Sequence, residues 1–219
     1  MKVLVVDTSS ARSLAGVAEV GPGGVGTVHE RHADDGKRHG ELLAGLVAGA
    51  LDDAGLGVAD VDAVVVGAGP GPFTGLRVGI VTAAVTADLR GVPLYGVDSL
   101  DAIAAGVESR PLLVATDARR REVYWARYAS PGVGSEAGPQ VGKPAEVDVT
   151  GAIVTGAGAT MYPDQLGVSL GADHPTVAGL VQCALDRLLQ GAPTETVEPL
   201  YLRRPDAVVP GTRKSTVQP

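Results

Sequence analysis

The stretch that decides the fold is Gly69-Pro70-Gly71-Pro72-Phe73-Thr74-Gly75-Leu76-Arg77-Val78-Gly79. It follows the apolar run at 61–66 and precedes a stretch of helical composition that extends to about Arg90. The glycines and prolines predict a rigid turn between a buried strand and a helix. Backbone N–H groups at the start of a helix point outward, so this turn is suited to binding an anion or a loop of a partner.

On either side of the turn, strands alternate with helices, which predicts an α/β fold with mixed sheets. Apolar residues at helical spacing predict a long first helix, and an Asp-Ser pair predicts the cap of a shorter one. The predicted strands are 2–7, 13–20, 27–31, 61–66 and 94–97, and the predicted helices are 37–54, the one that ends near 90, and 99–105.

The pattern then restarts. Residues 112–117 have the form of residues 3–7, an apolar strand that ends in Asp, and a second strand follows each of them. The match is either accidental or the sign of two similar lobes. On the second interpretation we expect an N-terminal lobe at 1–105, a smaller C-terminal lobe at 106–205 and a disordered tail at 206–219. The smaller lobe would contain a polar stretch at 130–144 and one long helix, from near His174-Pro175 to Gln190.

Composition limits the classes of function. With 219 residues, of which 45% are hydrophobic, the chain can bury one large core or two modest ones. A net charge of −7 argues against a large nucleic-acid surface, and a single cysteine, Cys183, excludes an internal disulfide. No stretch reaches the ~18 apolar residues that a membrane span needs, so we expect a cytoplasmic protein.

Several motifs suggest catalysis but lack the required context. Gly21, Gly23 and Gly26 form GxGxxG, yet a strand follows where a dinucleotide fold needs a helix. The GxSxG at 167–171 does not follow a buried strand, as a nucleophile elbow must. Cys183 is expected to be a buried structural thiol. No catalytic residue is therefore assigned.

No metal site is predicted either. His39 opens the first long helix, where a second helical ligand belongs four residues on, and that position is Leu43. His39 is instead expected to be a capping or interface residue.

Asp7-Thr8-Ser9-Ser10 ends the first strand with a carboxylate and three hydroxyls. Such a group can ligate a metal–phosphate or simply cap a turn, and both interpretations stay open. Arg77 can bind a phosphate or a partner's carboxylate, or lie in solvent. The candidate nucleotide or anion site consists of Asp7, Thr8, Ser9, Gly69, Gly71 and Thr74.

Small residues recur every four positions along the helix after the turn, at Gly75, Gly79, Ala83 and Ala87. This stripe of small residues allows a close approach of another element. It indicates either close packing within the lobe or a face on which another helix docks.

Taken together, six motifs resemble the TsaB (YeaZ) family, over nearly the whole chain. They are Val5-Val6-Asp7-Thr8-Ser9, His39-x-x-Leu42-Leu43, the 69–79 turn, Asp98-Ser99-Leu100, Asp117-Ala118-Arg119-Arg120-x-Glu122-Val123-Tyr124 and Pro199-Leu200-Tyr201-Leu202-Arg203. The resemblance implies the two-lobed actin-like and Hsp70-like (ASKHA) fold, with duplicated ribonuclease H-like lobes. It also implies a role in making threonylcarbamoyladenosine beside the anticodon of tRNAs that read codons starting with A.

By the same resemblance, this chain is a non-catalytic subunit. TsaD, the catalytic relative, carries an HxxxH metal site on a helix, whereas the run from His39 reaches Leu43. ATP and magnesium would be used by the complex, with no intrinsic cofactor and at most weak nucleotide binding here. One departure is Pro72, where many relatives have Ser, and the lost hydroxyl weighs against phosphate binding.

The resemblance also implies partners. Helices from Lys37 and from Gly75 would form a bundle with TsaD, the ATPase TsaE would join, and the same face would support a homodimer when TsaD is absent. The tRNA would be reached only through the complex, and no membrane is involved. The implied interface residues are His39, Leu42, Leu46, Gly75, Arg77, Gly79 and Ala83. The alternatives are a glycoprotease-like peptidase and a weak ATP-binding protein.

Overall fold

The structure, a computed structural model, describes residues 1–108, 111–129 and 134–203 and contains two mixed sheets. The strands are β1 (Lys2–Asp7), β2 (Ser13–Gly21), β3 (Gly24–Ala33), β4 (Ala63–Gly69), β5 (Leu94–Asp98), β6 (Leu112–Asp117), β7 (Val123–Tyr128), β8 (Ala137–Gly142) and β9 (Ile153–Thr155). The helices are α1 (His39–Asp53), α2 (Phe73–Arg90), α3 (Ser99–Ala105), α4 (Ala157–Met161), α5 (Pro163–Leu166) and α6 (Val177–Gln190).

The first sheet has the order β3-β2-β1-β4-β5, with β1 antiparallel to β2 and parallel to β4. Its central strand β1 is apolar from Val3 to Val6 because both faces are covered there. Val3 and Val5 pack in one core with α6, while Leu4 and Val6 pack in another with α1 and α2. Because successive side chains of a strand point to opposite faces, this one apolar run contributes to both cores.

The second sheet has the order β8-β7-β6-β9, and β6 is antiparallel to β7 and parallel to β9. This is the arrangement of β3-β2-β1-β4, so the internal repeat and the two-lobed α/β fold are confirmed. The polar stretch at 130–144 contains β8, a strand that the sequence did not predict. An edge strand such as β8, paired only with β7, needs no alternation of apolar residues to form.

The last helix, α6, follows the second sheet in sequence but packs on the first one, against β2, β3 and α3. It begins two residues later than predicted, because its cap is Thr176, whose hydroxyl accepts the N–H of Gly179. The division at 105/106 stays a prediction, and the predicted tail at 206–219 lies outside the described residues. No helix in the described ranges is long and apolar enough to cross a bilayer.

The contact between α3 and α6 depends on Gly179, where an added Cβ would collide with the carbonyl oxygen of Ala102. We expect Gly179→Ala to lower the free energy of unfolding by about 2 kcal/mol, because α6 must move away from α3. Urea denaturation followed by circular dichroism measures this. In the control, Gly45→Ala on the exposed side of α1, nothing lies within 4 Å of the new Cβ, and stability should rise by up to ~1 kcal/mol. Equal effects of the two substitutions would contradict the contact.

Asp98 caps α3, since its Oδ1 accepts the N–H of Leu100 at 2.7 Å. Burial, reinforced by the nearby Asp101, raises the pKa of Asp98 to about 7 from its ordinary value of 3.8. The folded chain therefore holds more protons than the unfolded chain between those two values. Its free energy of unfolding falls as the pH rises through that window.

We expect Asp98→Asn to keep the cap and remove this part of the pH dependence. Above pH ~7 the variant should be more stable than the natural chain, by at most ~4 kcal/mol for a shift of about three pKa units. Urea denaturation at several pH values from about 4 to 8 measures how the free energy of unfolding changes with pH in the natural chain and in the variant. An unchanged slope would show that Asp98 titrates normally.

Candidate functional site at the β4–α2 turn

The turn that opens α2 follows β4 directly. Gly69 ends the strand with φ +106°, a conformation that favours glycine, and the Gly69–Pro70 peptide bond is cis. Pro72 precedes the first helical residue, Phe73. The strand–turn–helix arrangement predicted from the sequence is therefore present.

Thr8, just after β1, contacts α2 where the helix lacks side chains. Its hydroxyl donates to the carbonyl of Gly75 at 2.7 Å and accepts the N–H of Gly79 at 3.0 Å. A Cβ on Gly79 would collide with this hydroxyl, and one on Gly75 would lie 2.6 Å from the Thr8 carbonyl oxygen. The stripe of small residues, including Ala83 and Ala87, is buried. Of the two interpretations left open by the sequence, close packing within the lobe is the one that holds.

His39 is also buried rather than at a surface. Its Nδ1 lies 2.6 Å from Ser13 Oγ, and its ring lies 3.4 Å from the point where a Cβ on Gly75 would be. Burial, and next the charge of Arg119, lower its pKa, which favours the neutral imidazole. Among the described residues no three His, Cys, Asp or Glu side chains are placed to hold a metal ion.

Asp7 is buried, and its carboxylate is fully engaged within the chain. Oδ1 accepts the N–H and the hydroxyl of Ser9 at 2.9 and 2.8 Å, and Oδ2 accepts the hydroxyl of Ser99 at 2.7 Å. Burial raises the pKa of Asp7, and the bond from Ser99 opposes this. Ser99, which the sequence places in the Asp98-Ser99-Leu100 motif but does not connect with Asp7, thus supplies the remaining hydrogen bond to this carboxylate.

The structure brings most of the candidate anion-binding residues together but packs them against each other. A Cβ on Gly71 would collide with the carbonyl oxygen of Ser9, so the turn lies directly on the backbone that follows β1. Thr74 is exposed on the first turn of α2. The expected cradle is therefore occupied by the chain's own backbone, and nucleotide binding stays a prediction.

The C-terminal segment packs on the same turn. Tyr201 stacks on Phe73 with ring centroids 4.8 Å apart, and the Arg77 guanidinium lies 3.9 Å from the centre of the Phe73 ring. Arg77 Nε also donates to the Tyr201 hydroxyl at 3.0 Å, and the N–H of Leu200 donates to the carbonyl of Ala68 at 2.8 Å. The unique phenylalanine and Arg77 thus bind the chain's own C-terminal segment.

The outer side of α2 carries large apolar side chains in solvent. Val81, Val85 and Leu89 are 58%, 51% and 80% exposed and recur every four residues. We call these three the outer stripe. On α1, the predicted interface residues Leu42 and Leu46 are half-buried. The sequence analysis missed the outer stripe because α2 has apolar or small residues on all its sides, so periodicity does not show which side is buried.

The two glycine motifs that the sequence analysis set aside lie where it expected them. The glycines at 21–26 form the β2–β3 hairpin. Ser169 lies in a loop after α5, and its hydroxyl donates to Asp173 at 3.2 Å. Cys183 is half-buried rather than fully buried as expected, and burial raises its pKa to about 12, so the reactive thiolate is disfavoured.

Comparison with known proteins agrees with this geometry. Residues 27–161 match the family model described as "TsaD: tRNA N6-adenosine threonylcarbamoyltransferase". An uncharacterized Mycobacterium leprae protein is 47% identical over 94% of this chain and 55% of its own length. The Escherichia coli "tRNA threonylcarbamoyladenosine biosynthesis protein TsaB" is 33% identical over 58% of this chain and 55% of its own length. The chain thus spans about half the length of these two relatives.

A solved structure also matches: "YeaZ from Pseudomonas aeruginosa" superposes with a TM-score of 0.75 at 25% identity, over 92% of this chain and 100% of that chain. It shares the two-lobed fold described above. The chain belongs to the family of the matching model, and within that family to the TsaB (YeaZ)-like proteins.

Proposed function

We propose that the chain is a non-catalytic cytoplasmic subunit in the synthesis of threonylcarbamoyladenosine in tRNA. It binds a TsaD-type catalytic subunit through the exposed sides of α1 and α2, and a TsaE-type ATPase joins that assembly. The names of the E. coli relative and of the matching family support the pathway. The observation that carries the docking role is the outer stripe of α2, which stays in solvent while the opposite side of the helix is used inside the lobe.

The energetics favour a partner on this face. Single exposed apolar residues are ordinary, but three at helical spacing form a continuous seam. Burying a Val or Leu side chain contributes roughly 1.5–3 kcal/mol, so the outer stripe alone can supply several kcal/mol to association. A second copy of the chain would cover the same seam when the catalytic subunit is absent.

A non-catalytic role is supported by the residues at the turn. Asp7 is satisfied by Ser9 and Ser99, and His39 is buried with Leu43 at the position of a second helical ligand. A peptidase is disfavoured because Ser169 is in a loop, its hydroxyl donates to the Asp173 carboxylate, and no histidine in the described part of the chain is hydrogen-bonded to it.

The outer stripe is tested by Val85→Lys in the middle of α2. The lysine leaves the fold intact because the site is exposed, but it places a charge in the proposed interface. We expect at least about 100-fold weaker binding to the purified TsaD-type subunit in a pull-down or calorimetric titration. Threonylcarbamoyl transfer to tRNA, reconstituted with the TsaE-type ATPase, should fall in parallel.

The matched control is Val168→Lys, which makes the same exchange at a 74% exposed valine of the 167–171 loop. It should bind and support transfer as the natural chain does. Unchanged binding of the Val85 variant would reject this docking face, and transfer independent of the chain would reject the proposed function. Gly79 is unsuitable for such a test because any side chain there collides with Thr8.

Nucleotide binding is proposed to belong to the assembly rather than to this chain, because the Ser9 backbone occupies the turn. Calorimetry of the chain alone with ATP and Mg²⁺ should give no saturable heat up to about 1 mM, the upper end of common substrate affinities. Saturable binding by the chain alone, lost on Asp7→Ala, would contradict this.

A further inference from the structure

Three consecutive arginines form the turn between β6 and β7. Arg119, Arg120 and Arg121 have φ of +61°, +54° and +62°, and they are the non-glycine residues with positive φ in the described ranges. Every other positive φ there belongs to glycine, as at Gly24 in the β2–β3 hairpin. Left-handed backbone costs free energy at any residue with a side chain, and more so over three in a row.

The hydrogen bonds of the turn show why this conformation is required. The N–H of Glu122 donates to the carbonyl of Arg119 at 3.0 Å, so Arg120 and Arg121 are the two central residues of a four-residue turn. Turns with positive φ at both central residues match the twist of a hairpin and are normally occupied by Asn and Gly. Asn-Gly would make this turn without strain, yet the chain has arginines.

Packing does not explain the arginines, since all three are exposed. Ion pairing accounts for Arg119 but does not account for Arg121. Arg119 lies 3.4 Å from Asp117, while Glu122 is paired with Arg203, so the acids that flank the turn are already neutralised. Arg121 has no ion-pair partner within the described part of the chain. Arg121 thus places a positive charge, unpaired among the described residues, at the tip of the turn, on a protein whose net charge is −7.

The turn also borders the proposed docking face. The Arg119 guanidinium lies 3.2 Å from the point where a Cβ on Gly36 would be, and Gly36 leads directly into α1 through the exposed Lys37 and Arg38. An anion bound at the tip would therefore lie beside the start of α1, next to the site of the catalytic subunit.

We propose that the turn formed by Arg119, Arg120 and Arg121 binds phosphate groups of the tRNA backbone when the chain is in its complex. The inference rests on the proposed function, which puts a tRNA beside this chain. Guanidinium groups bind phosphate in a bidentate manner, and a short basic tip suits a local backbone contact rather than a large nucleic-acid surface. An acidic surface of a protein partner would also bind these arginines, so the test must distinguish such a surface from tRNA phosphate.

The test uses Arg120→Asn together with Arg121→Gly, in the complex with the TsaD-type subunit. Because Asn-Gly suits this turn, the double variant should unfold at a higher temperature than the natural chain. Its affinity for fluorescently labelled tRNA, measured by anisotropy, should nevertheless fall about 10-fold or more. The slope of log affinity against log salt should become shallower by roughly 1.4–1.8, for two lost phosphate contacts.

The charge-matched control is Arg31→Ala with Lys143→Ala, which removes two positive charges from β3 and from the segment after β8. Its tRNA affinity and salt slope should stay close to those of the natural complex.

Unchanged affinity and slope in the turn variant, with the complex intact, would overturn the inference and leave the proposed function standing. Loss of binding to the TsaD-type subunit or the ATPase in a pull-down would instead assign the turn to a protein contact, which also overturns it. If the natural chain neither binds the catalytic subunit nor supports transfer, it is the proposed function that fails.

Discussion

The Thr8 hydroxyl bridges the carbonyl of Gly75 and the N–H of Gly79, a pair one helical turn apart in α2. This contact fixes the position of α2 in two ways. The bridge sets how closely α2 approaches the end of β1, and it sets the rotation of the helix about its own axis. Because side chains on opposite sides of a helix are rigidly related, burying the glycines there leaves Val81 and Val85 in solvent.

The same close approach explains why the β4–α2 turn packs against the chain's own backbone. In an open strand–turn–helix junction, outward N–H groups are available to an anion. Here the backbone after β1 lies against Gly71, and Asp7 is held by Ser9 and Ser99. The turn thus joins β1, β4 and α2 within the lobe, and the adjoining C-terminal segment covers it through Tyr201. A turn with the sequence of a binding loop is thus used for packing inside the lobe.

Much of the fold was predictable because apolar runs translate directly into buried strands. Val3 to Val6 and the valines of β4 are buried on both faces, and no other local structure accommodates such runs as well. Strand β8 was not predictable, since an edge strand is held mainly by backbone hydrogen bonds to one neighbour, which need no alternating side-chain pattern. The placement of α6 was not predictable either, because the same amphipathic helix could cover either sheet. Its apolar side matches Val3 and Val5, but only the assembled sheet presents them together.

The sequence by itself determined the main elements of residues 1–105, the glycine turn and the resemblance to the TsaB (YeaZ) family, since each depends on local pattern or motif. It suggested the repeated lobes but left an accidental match open. Tertiary structure alone decided which side of α2 is buried, because a helix with apolar or small residues all round has no preferred side until a neighbour such as Thr8 selects one. It likewise decided that Arg119 to Arg121 adopt a left-handed turn. The twist and register of the β6–β7 hairpin impose that conformation, against the preference of the residues themselves.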